Sequence, residues 1–162
     1  MRIFDFIRTK REQKAAERNK TTDRLVEQLS VAINVANSYT LDKRSYVNVG
    51  LANQWRNINR SLHDMVNSKL VDSLKKASDH ETLIAKRTVF NNLYDTLPDR
   101  LRRHNEQVAE ARLSEAYSIV GNVEGRKLDR QQMLAIMKED RNHLIIAGAG
   151  TGKTTTVVGK IK

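Results

Sequence analysis

Cysteine is absent from this chain of 162 residues. That excludes a disulfide scaffold, a thiolate zinc site and a cysteine nucleophile, and it suits a reducing cytoplasm. Proline occurs once and aromatic residues make up 5% of the chain, with only seven glycines, so a sandwich of short strands joined by many turns is excluded in favour of long helices. Long hydrophobic runs are also missing. The opening Met1-Arg-Ile-Phe-Asp-Phe-Ile7 reaches Arg8, Lys10 and Arg11 too soon for a signal-peptide core or a membrane span, and no membrane partner is expected.

What is present is positive charge. Lysine and arginine number 29 against 19 acidic residues, a formal net charge of +10 that favours a polyanionic partner such as DNA. The apolar fraction of 39% is modest for a globular chain but well above a disordered one, so a thin core is expected.

The first 120 residues carry helical spacing almost throughout. Leu25, Leu29, Ala32, Ile33 and Ala36 form one stripe. Residues 40–53 have loop character, and helical spacing resumes from Trp55 through Ile58, Leu62, Met65, Leu70 and Leu74. A further helix follows Ser78-Asp79, and Pro98 is expected to bend or end it before a new helix carries Leu101, Val108, Leu113 and Tyr117. Residues 1–120 are thus an all-α region, 121–127 a glycine-flanked linker, and 128–162 the start of a different unit. There, Asp129 is a candidate N-cap, and Leu144-Ile-Ile-Ala147 has the character of a buried parallel strand.

The most specific motif is Ala147-Gly-Ala-Gly-Thr-Gly-Lys-Thr154. It fits a phosphate-binding loop with alanine in the place of the first glycine, set between a strand and a helix-compatible run. Glycines let backbone N–H groups turn inward around phosphates, and the helix that follows directs its positive end at them. By this reading Gly148, Ala149, Gly150, Thr151, Gly152, Lys153, Thr154 and Thr155 line the nucleotide phosphates. The Lys153 ammonium reaches the β and γ phosphates as the catalytic cation, and the Thr154 hydroxyl binds Mg²⁺. Gln132, on a short helix ahead of the loop, has a primary amide able to donate to one adenine ring atom and accept from another.

Together, Leu128-Asp-Arg-Gln-Gln132 and the run from Leu144 to Ile161 resemble the opening of superfamily 1 DNA helicases of the UvrD/Rep type, in particular the helicase IV-like branch; Asn105-Glu106 and Val123-Glu124-Gly125 extend the likeness upstream. The resemblance implies ATP and Mg²⁺ as cofactors, DNA as partner, a cytoplasmic setting and the first β-loop-α unit of a RecA-like domain. It also implies roles: Gln132 reads adenine, Lys153 binds phosphate and Thr154 stands beside magnesium. Such helicases carry further motifs that are not within these residues, so the chain is read as the N-terminal part of a longer helicase. Two alternatives stay open: a different phosphate-loop ATPase, or a non-enzymatic helical module that binds DNA or a partner and retains a remnant loop.

Other features are less specific. Arg2, Arg8, Lys10, Arg11, Lys14, Arg18 and Lys20 could grip a DNA backbone, although interleaved Glu12 and Glu17 also fit a solvated helix face. Trp55 with Arg56 and Arg60 could stack on a base, though a lone tryptophan at helical spacing more often belongs to a core. Arg100, Arg102, Arg103 and His104 form a second ambiguous cluster. His63, His80, His104 and His143 lack ligand spacing and are expected at the surface, and Glu139-Asp140 lies on a turn.

Overall fold

The computed structural model describes residues 2–123, 125–137, 150 and 152–161. Of these, 79% are helical, in keeping with a mainly α chain that has one proline. The expected strand at 144–147, together with Glu139, Asp140 and His143, lies outside the described residues. In chain order the elements are α1 (Arg2–Ser38), α2 (Gly50–Ile58), α3 (Arg60–Val66), α4 (Leu70–Ser73), α5 (His80–Val120), β1 (Asn122–Val123), β2 (Arg126–Lys127), α6 (Arg130–Met137) and α7 (Lys153–Ile161). They fall into two compact units, one of residues 1–38 and 52–97, the other of residues 39–51 and 98–162.

The first unit buries Leu25, Leu29, Ala32 and Ala36 of α1, the stripe that helical spacing predicts, with Trp55, Val66, Leu83, Phe90, Leu93 and Leu97. Trp55 is the centre of an aromatic group rather than a surface platform. Its ring lies 5.4 Å from Phe90 and 6.0 Å from Tyr94, and its Nε1–H donates to the Ala32 carbonyl at 2.9 Å. Burial of the indole removes the base-stacking role from consideration. His63 is likewise engaged, stacked on Tyr94 at 4.0 Å.

The segment from Trp55 to Leu74 divides into three short helices instead of one. Asparagines stand at the breaks, and each side-chain amide shares the carbonyl that its own backbone N–H also bonds. Asn59 Nδ2 donates to the Trp55 carbonyl at 2.8 Å, and Asn67 Nδ2 to that of His63 at 2.9 Å. Ser68 adds a bond to the Met65 carbonyl at 2.7 Å while its Oγ accepts from Leu70 N–H at 3.2 Å.

Pro98 neither ends the helix nor starts a new one, contrary to the expectation from its chemistry: α5 runs through it from His80 to Val120. A proline inside a helix removes one N–H donor and crowds the carbonyl four residues back, here that of Tyr94. Arg56 of α2 supplies the substitute. Its Nε donates to the Tyr94 carbonyl at 2.5 Å and its Nη2 to the Asp95 carbonyl at 2.8 Å.

In the second unit the loop 39–49 is held to α5 by side chains from successive turns. Arg100 donates to Thr40 Oγ1 at 3.2 Å, and His104, only 4% exposed, bonds the Ser45 carbonyl at 3.0 Å. Asn105 acts as a short strand would, accepting from Val47 N–H and donating to the Val47 carbonyl, each at 2.8 Å. The basic cluster is therefore partly committed to structure: Arg102 pairs with Asp99, and His104 is buried, not at the surface. Residues 122–123 and 126–127 pair antiparallel, Asn122 opposite Lys127 and Val123 opposite Arg126, and Gly125 has φ 78°. Val123 is fully buried with Ala116, Leu128 and Met133, and Leu113, Tyr117, Ile136 and Val158 pack around them. This small core fixes where α6 and α7 begin.

Candidate functional site

The site is built from the starts of α6 and α7. At α6, Asp129 Oδ1 accepts from Gln132 N–H at 2.8 Å while Gln132 Oε1 accepts from Asp129 N–H at 2.9 Å. This reciprocal capping box satisfies two backbone donors and fixes the glutamine side chain over the helix start. The carboxamide nitrogen is thereby directed at α7. A Cβ placed on Gly152 would stand 2.5 Å from Gln132 Nε2, so the amide occupies the space that only a glycine leaves open.

Gly150 and Gly152 both adopt left-handed backbone, at φ 79° and 81°. Only glycine does this readily, which is the property a backbone cradle around an anion requires. After Gly152 the chain enters α7, where Thr156 N–H donates to the Gly152 carbonyl at 3.0 Å and Thr156 Oγ1 to the same oxygen at 3.1 Å. Lys153 and Thr154 are exposed in the first turn of α7, the part of a helix whose N–H groups have no partner within the helix, and Thr155 is half-buried. Gly148, Ala149 and Thr151 lie outside the described residues.

α7 is seated closely enough to hold this geometry. A Cβ on Gly159 would stand 2.7 Å from Ile136 Cδ1, 3.4 Å from Val123 Cγ2 and 3.5 Å from Leu128 Cδ1, so α6, the hairpin and the segment before α6 all converge on that glycine. Gln132 of α6 and the loop glycine Gly152 are thus brought together by one core. Asp129 caps α6 as its chemistry predicts, whereas its reciprocal bond with Gln132 and the role of Gly159 were not singled out. Gly159 had no signal beyond its type, whereas the Asp-x-x-Gln spacing was a readable capping box.

The remaining candidates are placed elsewhere. His63 and His104 belong to the packing described above, and no group of three ligand-type side chains able to hold a metal ion occurs among the described residues. Asp42, on the loop 39–49, has its carboxyl held below the usual range. Ser45 Oγ donates to it at 2.5 Å, Arg44 N–H donates at 2.9 Å, and the Arg44 and His104 charges act in the same direction. No helix among the described residues is long and apolar enough to cross a membrane.

Residues 128–162 match the family model of the UvrD/REP helicase N-terminal domain. The match covers only this short stretch, which contains Gln132, Gly152, Lys153 and Thr154, and it supports a UvrD/Rep-type origin for it. No curated protein and no solved structure matched the chain.

Proposed function

We propose that this chain carries the nucleotide-loop part of an ATP-dependent DNA helicase of the UvrD/Rep type, within the helicase IV-like branch, acting in the cytoplasm. In this reading residues 1–120 are a helical accessory region, 121–127 its connection, and 128–162 the first β-loop-α unit of a RecA-like domain. The observation that carries the proposal is the contact of Gln132 with Gly152. The two motifs lie twenty residues apart in sequence, and their proximity at Gly152 supports reading them as one site.

The described residues fit a nucleotide with its magnesium ion. Gly150 and Gly152 have the backbone that exposes amides to an anion, Lys153 and Thr154 are open to solvent at a helix start, and Gln132 stands beside them with an amide nitrogen directed at the loop. Lys153 would neutralise the terminal phosphates, Thr154 would offer its hydroxyl to Mg²⁺, and the amides of residues 148–155 would hold the phosphate oxygens. Gln132 would recognise the adenine edge. ATP supplies the phosphoryl-transfer free energy that drives strand separation in helicases of this kind.

A titration of the chain with a fluorescent ATP analogue and Mg²⁺ tests this. Lys153→Ala should abolish binding. Gln132→Glu keeps the oxygen that caps α6 but loses the amide donor, so it should weaken binding of the adenine nucleotide without melting the helix. Nucleotide binding that is indifferent to both substitutions, or no binding at all, would favour a helical DNA- or partner-binding module with a remnant loop.

A further inference from the structure

The first turns of α1 bear an exposed surface that the nucleotide site does not use. Every residue from Asp5 to Lys14 is exposed, including Phe6 at 59% and Ile7 at 42%. At helical spacing, Phe6, Ile7, Lys10, Arg11 and Lys14 share one face, while Asp5, Thr9 and Glu12 fall on the opposite one, where Arg8 is paired with Glu12 at 2.9 Å. From Phe6 to Lys14 the first face is therefore apolar at its start, basic beyond it and free of acid, with Glu17 entering the same face one turn later. Lys10 Nζ lies 4.6 Å from the centroid of the Phe6 ring, so the cation and the aromatic ring form a continuous surface.

We infer that this face of α1 binds an anionic phospholipid surface, lying in the plane of the headgroups. Phe6 and Ile7 enter the acyl boundary, and Lys10, Arg11 and Lys14 extend their apolar stems beside them with the charged ends on lipid phosphates. A nucleic acid would satisfy the cations but leave the aliphatic Ile7 in water, and its bases could stack on Phe6 alone. Lipid covers both apolar side chains and meets the charge of the face. Such a helix needs no membrane-spanning length.

Sedimentation of the full chain with phosphatidylcholine vesicles, with and without phosphatidylglycerol, tests the inference. Binding should require phosphatidylglycerol and weaken as salt is raised. Phe6→Asp should abolish it, and the pair Lys10→Gln with Lys14→Gln should reduce it about twenty-fivefold, about fivefold for each charge removed. All three positions are exposed, so an unchanged helical circular dichroism spectrum shows that the fold is intact. Lack of binding to the anionic vesicles overturns the inference. So does vesicle binding that survives Phe6→Asp, and so does a chain that binds single-stranded DNA through Lys10 and Lys14 but not vesicles.

Discussion

Arg56 and Pro98 are partners although they never touch through a direct bond: Arg56 Nε donates at 2.5 Å to the Tyr94 carbonyl, the acceptor that Pro98 leaves without its helical donor. A guanidinium from α2 thus completes the backbone of α5 and lets that helix pass through a residue that ordinarily stops one. The second bond, from Arg56 Nη2 to the Asp95 carbonyl at 2.8 Å, gives the fork geometry that only arginine provides.

The cost of losing that substitute follows from it. Arg56→Ala should destabilise the chain by about 2 kcal/mol, since hydrogen bonds from a charged group are worth more than neutral ones. Arg56→Lys should recover less than half, because a lysine cannot serve both carbonyls at this spacing. In a Pro98→Ala background, where the helical N–H returns, the loss on Arg56→Ala should shrink by about 1 kcal/mol. Urea denaturation of the four variants measures this coupling. Additive losses would show that Arg56 acts by packing on Tyr94 rather than by replacing the missing donor.

Gly150 and Gly152 have nearly the same φ but different surroundings, and their alanine variants should separate. Gly150→Ala meets open space and carries only the cost of left-handed backbone, about 1 kcal/mol. Gly152→Ala adds a contact of 2.5 Å with Gln132 Nε2 and should displace that side chain from its capping bond. Thermal unfolding should rank Gly152→Ala as the less stable variant. Adding Gln132→Ala to it should restore part of the difference by removing the clash, while the backbone cost stays.

How far the chain could be read beforehand depended on whether a residue's partner is near in sequence. The stripe Leu25, Leu29, Ala32, Ala36 and the capping position Asp129 are local signals, and the structure uses them as helical spacing and capping chemistry predict. The breaks at Asn59 and Asn67 were hidden because apolar spacing continues across them, while the asparagine side-chain bonds found there are polar and run back to the preceding turn. Pro98 was legible as a helix breaker, but its remedy sits 42 positions earlier in Arg56, and no local pattern announces a donor at that distance. The same holds for the candidate site. The loop and Gln132 were each visible, whereas their meeting at Gly152 depends on a small core of Val123, Leu128 and Met133 that tertiary packing alone assembles.

Asp42 should give the loop 39–49 a sensitivity to acid. Its carboxyl is held below the ordinary value of 3.8, first by the Ser45 hydroxyl and then by the Arg44 N–H and the nearby positive charges. A lowered folded value means that its stabilising effect is present above the unfolded value and is lost as pH falls through the folded one. Ser45→Ala removes the largest contribution, so the Asp42 titration, followed by carboxyl NMR shifts, should move upward. An unchanged titration would show that the Arg44 N–H and the charges of Arg44 and His104, rather than the hydroxyl, set it.

Asn105 provides the sharpest test of what anchors that loop. It is half-buried and makes both backbone bonds of Val47, accepting at 2.8 Å and donating at 2.8 Å, in the manner of a paired strand. Asn105→Asp keeps the acceptor for Val47 N–H but sets a carboxylate against the Val47 carbonyl, whereas Asn105→Ala removes both bonds without adding a repulsion. With each neutral bond worth about 1 kcal/mol, Asn105→Ala should cost about 2 kcal/mol, and Asn105→Asp should cost at least as much at neutral pH. The two should part on acidification, because a protonated aspartate regains a donor for the carbonyl. Hydrogen exchange at Val47 reads the anchor directly: its amide should lose protection in Asn105→Ala and keep more of it in Asn105→Asp at low pH. Equal protection in wild type and Asn105→Ala would mean that His104 and Arg100, not Asn105, hold the loop to α5.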